Sequence, residues 1–123
     1  MAEEDVEVVR NLHRAYERGD MAGVARYLSP NVTWRGAPPS ERTDCKDRSE
    51  VLSRLQDRAH RVPPLETLEL VDLGDEVLVG LPVTKPWTAP AYYQRVRVED
   101  GVVVAIQDYG PRDAALAGVV PTD

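Results

Sequence analysis

The spacing of the apolar residues changes once along this chain, near Leu65, and that change limits the fold more than any other feature. Before it, apolar side chains recur every three or four residues, as on one face of a helix; after it they alternate, as on a half-covered strand. Val8, Val9, Leu12, Ala15 and Tyr16 share one face of a first helix, whose opening turn holds Glu3, Glu4 and Asp5 and which Gly19 ends. Asp20 reads as the N-cap of a short second helix carrying Met21, Val24, Ala25 and Leu28, stopped by Ser29-Pro30-Asn31. A short strand, Asn31–Arg35, puts Val32 and Trp34 on one side, and Gly36 to Cys45 reads as a loop. Asp47-x-x-Glu50 has the pattern of a capping box and opens a third helix with a buried stripe of Val51, Leu52, Leu55, Ala59 and Val62, closed by Pro63-Pro64.

Two hairpins follow. Leu65–Leu73 pairs with Val77–Val83 through Gly74-Asp75-Glu76, and Ala91–Val98 pairs with Val102–Tyr109 through Glu99-Asp100-Gly101. Thr84–Pro90 connects them, because Pro86 and Pro90 cannot donate to an interior ladder. Pro111 to Leu116 predicts a last helical turn. Helices followed by an antiparallel meander predict an α+β fold with three N-terminal helices packed on one face of a curved, mostly antiparallel sheet. At 123 residues the chain has room for one domain, and with 42% apolar residues it can form a core without a disulfide or metal.

Charge removes several functions. Fifteen basic residues against 21 acidic ones give a net charge of −6 with no basic stripe, which argues against nucleic acid as a partner. The longest stretches without a charged residue, Pro86–Gln94 and Ala114–Thr122, run to nine residues, against the roughly 20 that span a bilayer, so no membrane is expected. The acidic start, Met1 to Asp5, is unlike a secretory or mitochondrial signal, and the expected location is cytoplasmic. That reading leaves the Asn31-Val32-Thr33 glycosylation sequon without meaning. Cys45 has no partner for an internal disulfide, and His13 and His60 without a cysteine cluster do not make a zinc site, so neither metal nor cofactor is expected. A lone loop cysteine beside only Lys46 is expected to be inert.

Three phrases taken in order carry a resemblance over nearly the whole chain: Val8-Val9-Arg10-x-Leu12-x-x-Ala15-Tyr16 with Gly19-Asp20; Leu28-x-Pro30-x-Val32-x-Trp34; and Asp100-Gly101-x-Val103-Val104-x-Ile106-x-Asp108-Tyr109. Together they resemble the SnoaL-like branch of the nuclear-transport-factor-2-like (NTF2-like) superfamily. The resemblance implies a cone enclosing a pocket. It leaves the chemistry open, since that superfamily holds polyketide cyclases, steroid isomerases, epoxide hydrolases, dehydratases and proteins that only bind.

Asp108 is the sharpest candidate for chemistry, because alternation puts it on one strand face with Val104 and Ile106. Burial among such neighbours favours the neutral form of a carboxyl and moves it toward the range of a general base; the resemblance implies the same role. The competing reading is a structural carboxylate in an ion pair or on backbone N–H groups. A two-residue Asp100-Gly101 turn sets Tyr93 opposite Asp108 and Arg95 diagonal to it, whereas one more residue exchanges the faces and brings Tyr92 and Gln94 alongside. Both registers stand at the level of sequence.

Trp34 and Tyr16 are expected to point inward, as pocket lining or as plain core, and the resemblance places Trp34 in the cavity wall. His13, three residues before Tyr16, reaches the pocket mouth or is half-exposed and structural, while His60 between Arg58 and Arg61 reads as a surface residue. The epoxide hydrolases of this superfamily carry an arginine and an aspartate on the strand that here reads Val77 to Val83 without a charge, so epoxide opening is not expected. Leu81 and Val83 instead suggest an apolar wall for a small, oxygenated, polyketide- or steroid-like molecule. The expected function is binding of such a molecule, with proton transfer by Asp108 helped by Tyr93 or Tyr16; the alternative is a non-catalytic binding or interaction module. A homodimer is expected through an outer sheet face offering Val96, Val98 and Val103.

Overall fold

The computed structural model describes residues 2–36, 44–83, 85–87 and 89–118; most of the expected 36–45 loop, and positions 84 and 88 of the connection between hairpins, lie outside them. The elements run α1 (Ala2–Glu17), α2 (Met21–Arg26), β1 (Leu28–Arg35), α3 (Arg48–Asp57), β2 (Glu69–Asp72), β3 (Glu76–Leu81), β4 (Tyr92–Glu99), β5 (Val102–Gly110) and α4 (Arg112–Ala117). One five-stranded sheet has the order β1-β5-β4-β3-β2, with β1 parallel to β5 and every other neighbour antiparallel. This is the expected α+β architecture, with three N-terminal helices and, where a last helical turn is expected at Pro111 to Leu116, a fourth helix, α4.

Local chemistry explains most boundaries. Asp20 caps α2 by accepting from Gly23 N at 2.9 Å. Asp47 caps α3 by accepting from Glu50 N at 2.9 Å, and Glu50 Oε1 in return accepts from Lys46 N at 2.8 Å. The third helix is shorter than predicted: it ends at Asp57, gives way to a 3-10 turn over Ala59–Arg61, and leaves Ala59 exposed. The strand predicted from Leu65 starts only at Glu69, because Thr67 Oγ1 donates to Pro64 O at 2.6 Å and closes a 3-10 turn over Leu65–Thr67.

Asp100 and Gly101 form the two-residue β4–β5 turn, with φ of 52° and 80°, the left-handed pair that a type I′ hairpin requires. Past the turn, Val98 pairs with Val103 but Arg97 pairs with Ala105, so Val104 is an extra residue on β5. The bulge exchanges the faces, and Gln94, not Tyr93, stands opposite Asp108. Val103, rather than Val104, joins Ile106 and Asp108 inside.

The inner face of the sheet packs against α1, α2 and α3 through a core that includes Val24, Leu28, Val32, Trp34, Val51, Val77, Val79, Val96, Val98 and Val103. Val96, Val98 and Val103, expected on the outer face as a dimer surface, are therefore interior, with Val103 only 1% exposed. The outer face has a smaller cluster of its own, in which α4 brings Ala115 onto Leu78, Tyr93 and Tyr109. Gly80 makes room there, since a Cβ at that position would sit 2.5 Å from the Tyr93 ring.

Gly101→Val forces a β-branched residue into left-handed backbone and is expected to cost about 1–2 kcal/mol in urea denaturation, while Asp100→Asn stays within about 0.5 kcal/mol of the parent. Equal stability of parent and Gly101→Val would rule out the I′ turn.

Candidate functional site

Between the inner sheet face and the helices lies a cavity of about 430 Å³, within the range of small-molecule sites. Its wall is mainly apolar, from Val9, Leu12, Leu28, Leu55, Val79, Leu81, Val96, Val103 and Ile106. Strand pairing explains the contribution of the sheet: Val79 faces Gln94, Leu81 faces Tyr92 and Val96 faces Ile106, so alternate residues of β3, β4 and β5 converge on one side.

Asp108 lines this cavity and is 2% exposed. Its Oδ1 accepts from Trp34 Nε1 at 2.9 Å and from Gln94 Nε2 at 2.9 Å, which ties β1 and β4 to β5 through one oxygen. Oδ2 takes neither bond. The Tyr92 phenol is hydrogen-bonded to the carboxylate; burial first, then the negative charge of Asp108 and that hydrogen bond push its pKa well above the ordinary value, so it keeps its proton throughout the physiological range.

Trp34 is fixed from two further directions. Its backbone exchanges hydrogen bonds with Cys45, at 2.9 and 2.8 Å, and its ring lies under two guanidiniums, with Arg54 4.4 Å and Arg58 5.7 Å from the centroid. The Cys45 thiol is buried, which pushes its pKa up and keeps it a poor nucleophile.

His13 and Tyr16 also line the cavity, but their polar atoms are engaged with backbone. Tyr16 Oη donates to Leu55 O at 2.6 Å, pinning α1 to α3. His13 Nε2 lies 2.7 Å from Pro63 O; a carbonyl only accepts, so Nε2 carries the hydrogen and, in the neutral ring, Nδ1 does not. Burial lowers the pKa of His13 against the smaller opposing effects of Pro63 and Glu17.

Of the candidates read from sequence, the structure brings Asp108, Trp34, Tyr16, His13, Leu81, Val83 and Ile106 to this cavity, with Val83 half exposed. Tyr93 and Arg95 are not there. The Val104 bulge turns both to the outer face, where Tyr93 Oη donates to Glu69 Oε1 at 3.0 Å. Arg95 Nε sits 2.7 Å from Glu76 Oε1, and its Nη1 donates to Ala115 O in the last turn of α4. Tyr92 and Gln94 take their place, as the other register implied.

Arg54, Arg58 and Arg61 also line the cavity, and sequence reasoning passed over them. A signal was present: they follow at i, i+4 and i+7, one helical face beside Leu55. Among the described residues no group of three or more His, Cys, Asp or Glu side chains is placed to hold a metal ion. No helix among them is long and apolar enough to cross a membrane.

Comparison with solved structures establishes the class: the chain has the NTF2-like fold. An NTF2-like protein from Burkholderia xenovorans LB400 superposes with a TM-score of 0.65 at 20% identity, over 98% of each chain. A candidate polyketide cyclase from Xanthomonas campestris pv. campestris superposes with a TM-score of 0.60 at 16% identity, over 94% of this chain and 96% of that one. TerC, co-crystallised with polyporic acid, gives 0.61 at 15% identity, over 97% and 99%. No protein-family model and no curated protein matches the sequence.

The depressed pKa of His13 has a defined sign. The folded protein holds the ring neutral while the unfolded chain takes up a proton below its ordinary value of about 6.5, so stability falls as pH drops through that value toward the lower folded pKa. Urea denaturation between about pH 7.5 and 5 is expected to show this loss, and His13→Gln, which keeps an N–H donor for Pro63, to show less of it. An identical pH dependence in both proteins would assign the loss to other groups.

Proposed function

We propose that the cavity binds a small, largely apolar, oxygenated molecule and that Asp108 accepts a proton from it, in an isomerase-, cyclase- or dehydratase-type reaction. The observation that carries this reading is the environment of Asp108. A carboxyl group 2% exposed lines an apolar cavity of ring-system size, held by two N–H donors on Oδ1 with a protonated phenol at its side. A base held in fixed orientation beside a desolvated substrate is the arrangement that C–H proton abstraction needs. Oδ2, which takes neither N–H bond, is the oxygen assigned to receive the proton. The Tyr92 phenol, kept protonated and hydrogen-bonded to Asp108, is the donor assigned to turn to the oxygen on which negative charge develops as Asp108 takes up the proton. These roles replace those expected of Tyr93 and Arg95. The Xanthomonas candidate polyketide cyclase and TerC with its polyporic acid have the same fold, which agrees with a ring-bearing ligand.

The second reading is a binding protein without turnover. It is favoured by the engagement of the other polar groups: His13 Nε2 and Tyr16 Oη both serve backbone carbonyls, so Asp108 and Tyr92 work without an evident third acid or base.

5-Nitrobenzisoxazole separates the two readings, since removal of its ring proton by a base breaks the N–O bond and releases a coloured phenolate. Proton abstraction by Asp108 predicts catalysis above that of buffer carboxylate, and a fall of about 10²–10⁴-fold in kcat/KM for Asp108→Asn. Tyr92→Phe is expected to lose about tenfold or more, as when one donor to a developing oxyanion is removed. If the probe binds and wild type and Asp108→Asn turn it over alike, the base assignment fails and the binding reading stands.

A further inference from the structure

The charge lining the cavity runs against that of the chain. The protein carries −6 overall, yet the wall of this cavity holds three arginines, Arg54, Arg58 and Arg61, against the single carboxylate of Asp108. The other ionisable groups of the wall, His13, Tyr16 and Tyr92, do not add negative charge, because burial favours the neutral form of each. The arginines also differ in position. Arg54 is half-buried, stacked 4.4 Å over the Trp34 ring and hydrogen-bonded to Cys45, so it is part of the wall. Arg58 and Arg61, at the end of α3 and in the 3-10 turn that follows, are exposed while still lining the cavity, which puts them at its opening. Asp108 is buried.

A mainly apolar space with its negative charge buried and two exposed guanidiniums at its opening is polarised. A ligand anion is repelled from the buried part and attracted at the opening, where it keeps part of its hydration. Guanidiniums match a carboxylate in geometry as well as charge. We infer that the ligand is an amphipathic organic acid, which enters with its apolar ring first and leaves its carboxylate at the opening against Arg58 and Arg61. The inference rests on the proposed function for the cavity and adds the class of molecule that fills it. The chain leaves α3 at Asp57 and turns through Ala59–Arg61, and both Arg58 and Arg61 line the cavity there.

The test uses a matched pair of probes, 2-naphthoate and the neutral 2-naphthamide, with binding followed by titration calorimetry at low salt. Wild type is expected to bind the acid about tenfold or more tightly than the amide, and salt near 0.5 M to narrow the gap. R61Q alone, which leaves both guanidiniums over Trp34, and the double variant R58Q/R61Q, which removes the more distant of them, are expected to weaken the acid progressively, by about tenfold in the double variant, and the amide by less than about twofold. Equal affinity of wild type for both probes, or a parallel loss of both in the double variant, overturns the inference while the cavity remains a ring site. If neither probe binds wild type, the reading of the cavity itself fails and the inference goes with it.

Discussion

Between the Asp100-Gly101 turn and Asp108, β5 carries one residue more than the segment of β4 it pairs with, and the arrangement of the site follows from that residue. Side chains alternate across a sheet, so a single insertion moves everything beyond it to the other face. With Val104 bulged out, Ile106 and Asp108 meet Val96 and Gln94 on the inner side, and Tyr93, Arg95 and Gln107 go to the outer side. Without it, the same turn would set Asp108 beside Tyr93 and Arg95. The outer face is built for that pair of residues: Glu76 lies against Arg95, Glu69 against Tyr93, and the carbonyl of Ala115 against Arg95. In the bulged register the side chains of both faces have partners at once, and this mutual consistency favours it.

The helical half was legible because its signals are local. The N-caps Asp20 and Asp47 act on amides three residues away, and the apolar stripe of α1 needs nothing beyond its own period. The hairpins were legible for the same reason, since Asp-Gly sets its own turn geometry. The bulge was not. Val102, Val103 and Val104 are identical side chains in a row, so no composition signal says which one leaves the ladder, and the choice falls to contacts with β4 and β1. Position along the chain explains the remaining differences. Pro63-Pro64 marks the end of a helix in the sequence, and Pro64 also accepts the Thr67 bond that delays β2. The arginines at 54, 58 and 61 have no role legible in the sequence because the wall they join is made by strands distant in sequence.

A buried carboxylate is a costly way to fill space. An aliphatic side chain at position 108 would pack against Ile106 and Val103 without needing partners, and exchanging buried polar groups for apolar ones is often neutral or stabilising. Here the indole of β1 and the amide of β4 are both directed at one oxygen, and the phenol of Tyr92 is held at the side of the group. Leaving that carboxylate unpaired in the cavity would cost several kcal/mol, so the donors account for how it is tolerated. They do not account for its being beside a cavity. A group needed only to join β1, β4 and β5 would serve as well inside the packed core, where Val77 and Val98 are buried and do not line the cavity. Its position on the cavity wall, between apolar strands and the Trp34 ring with its two guanidiniums, is the placement that the proposed proton transfer requires.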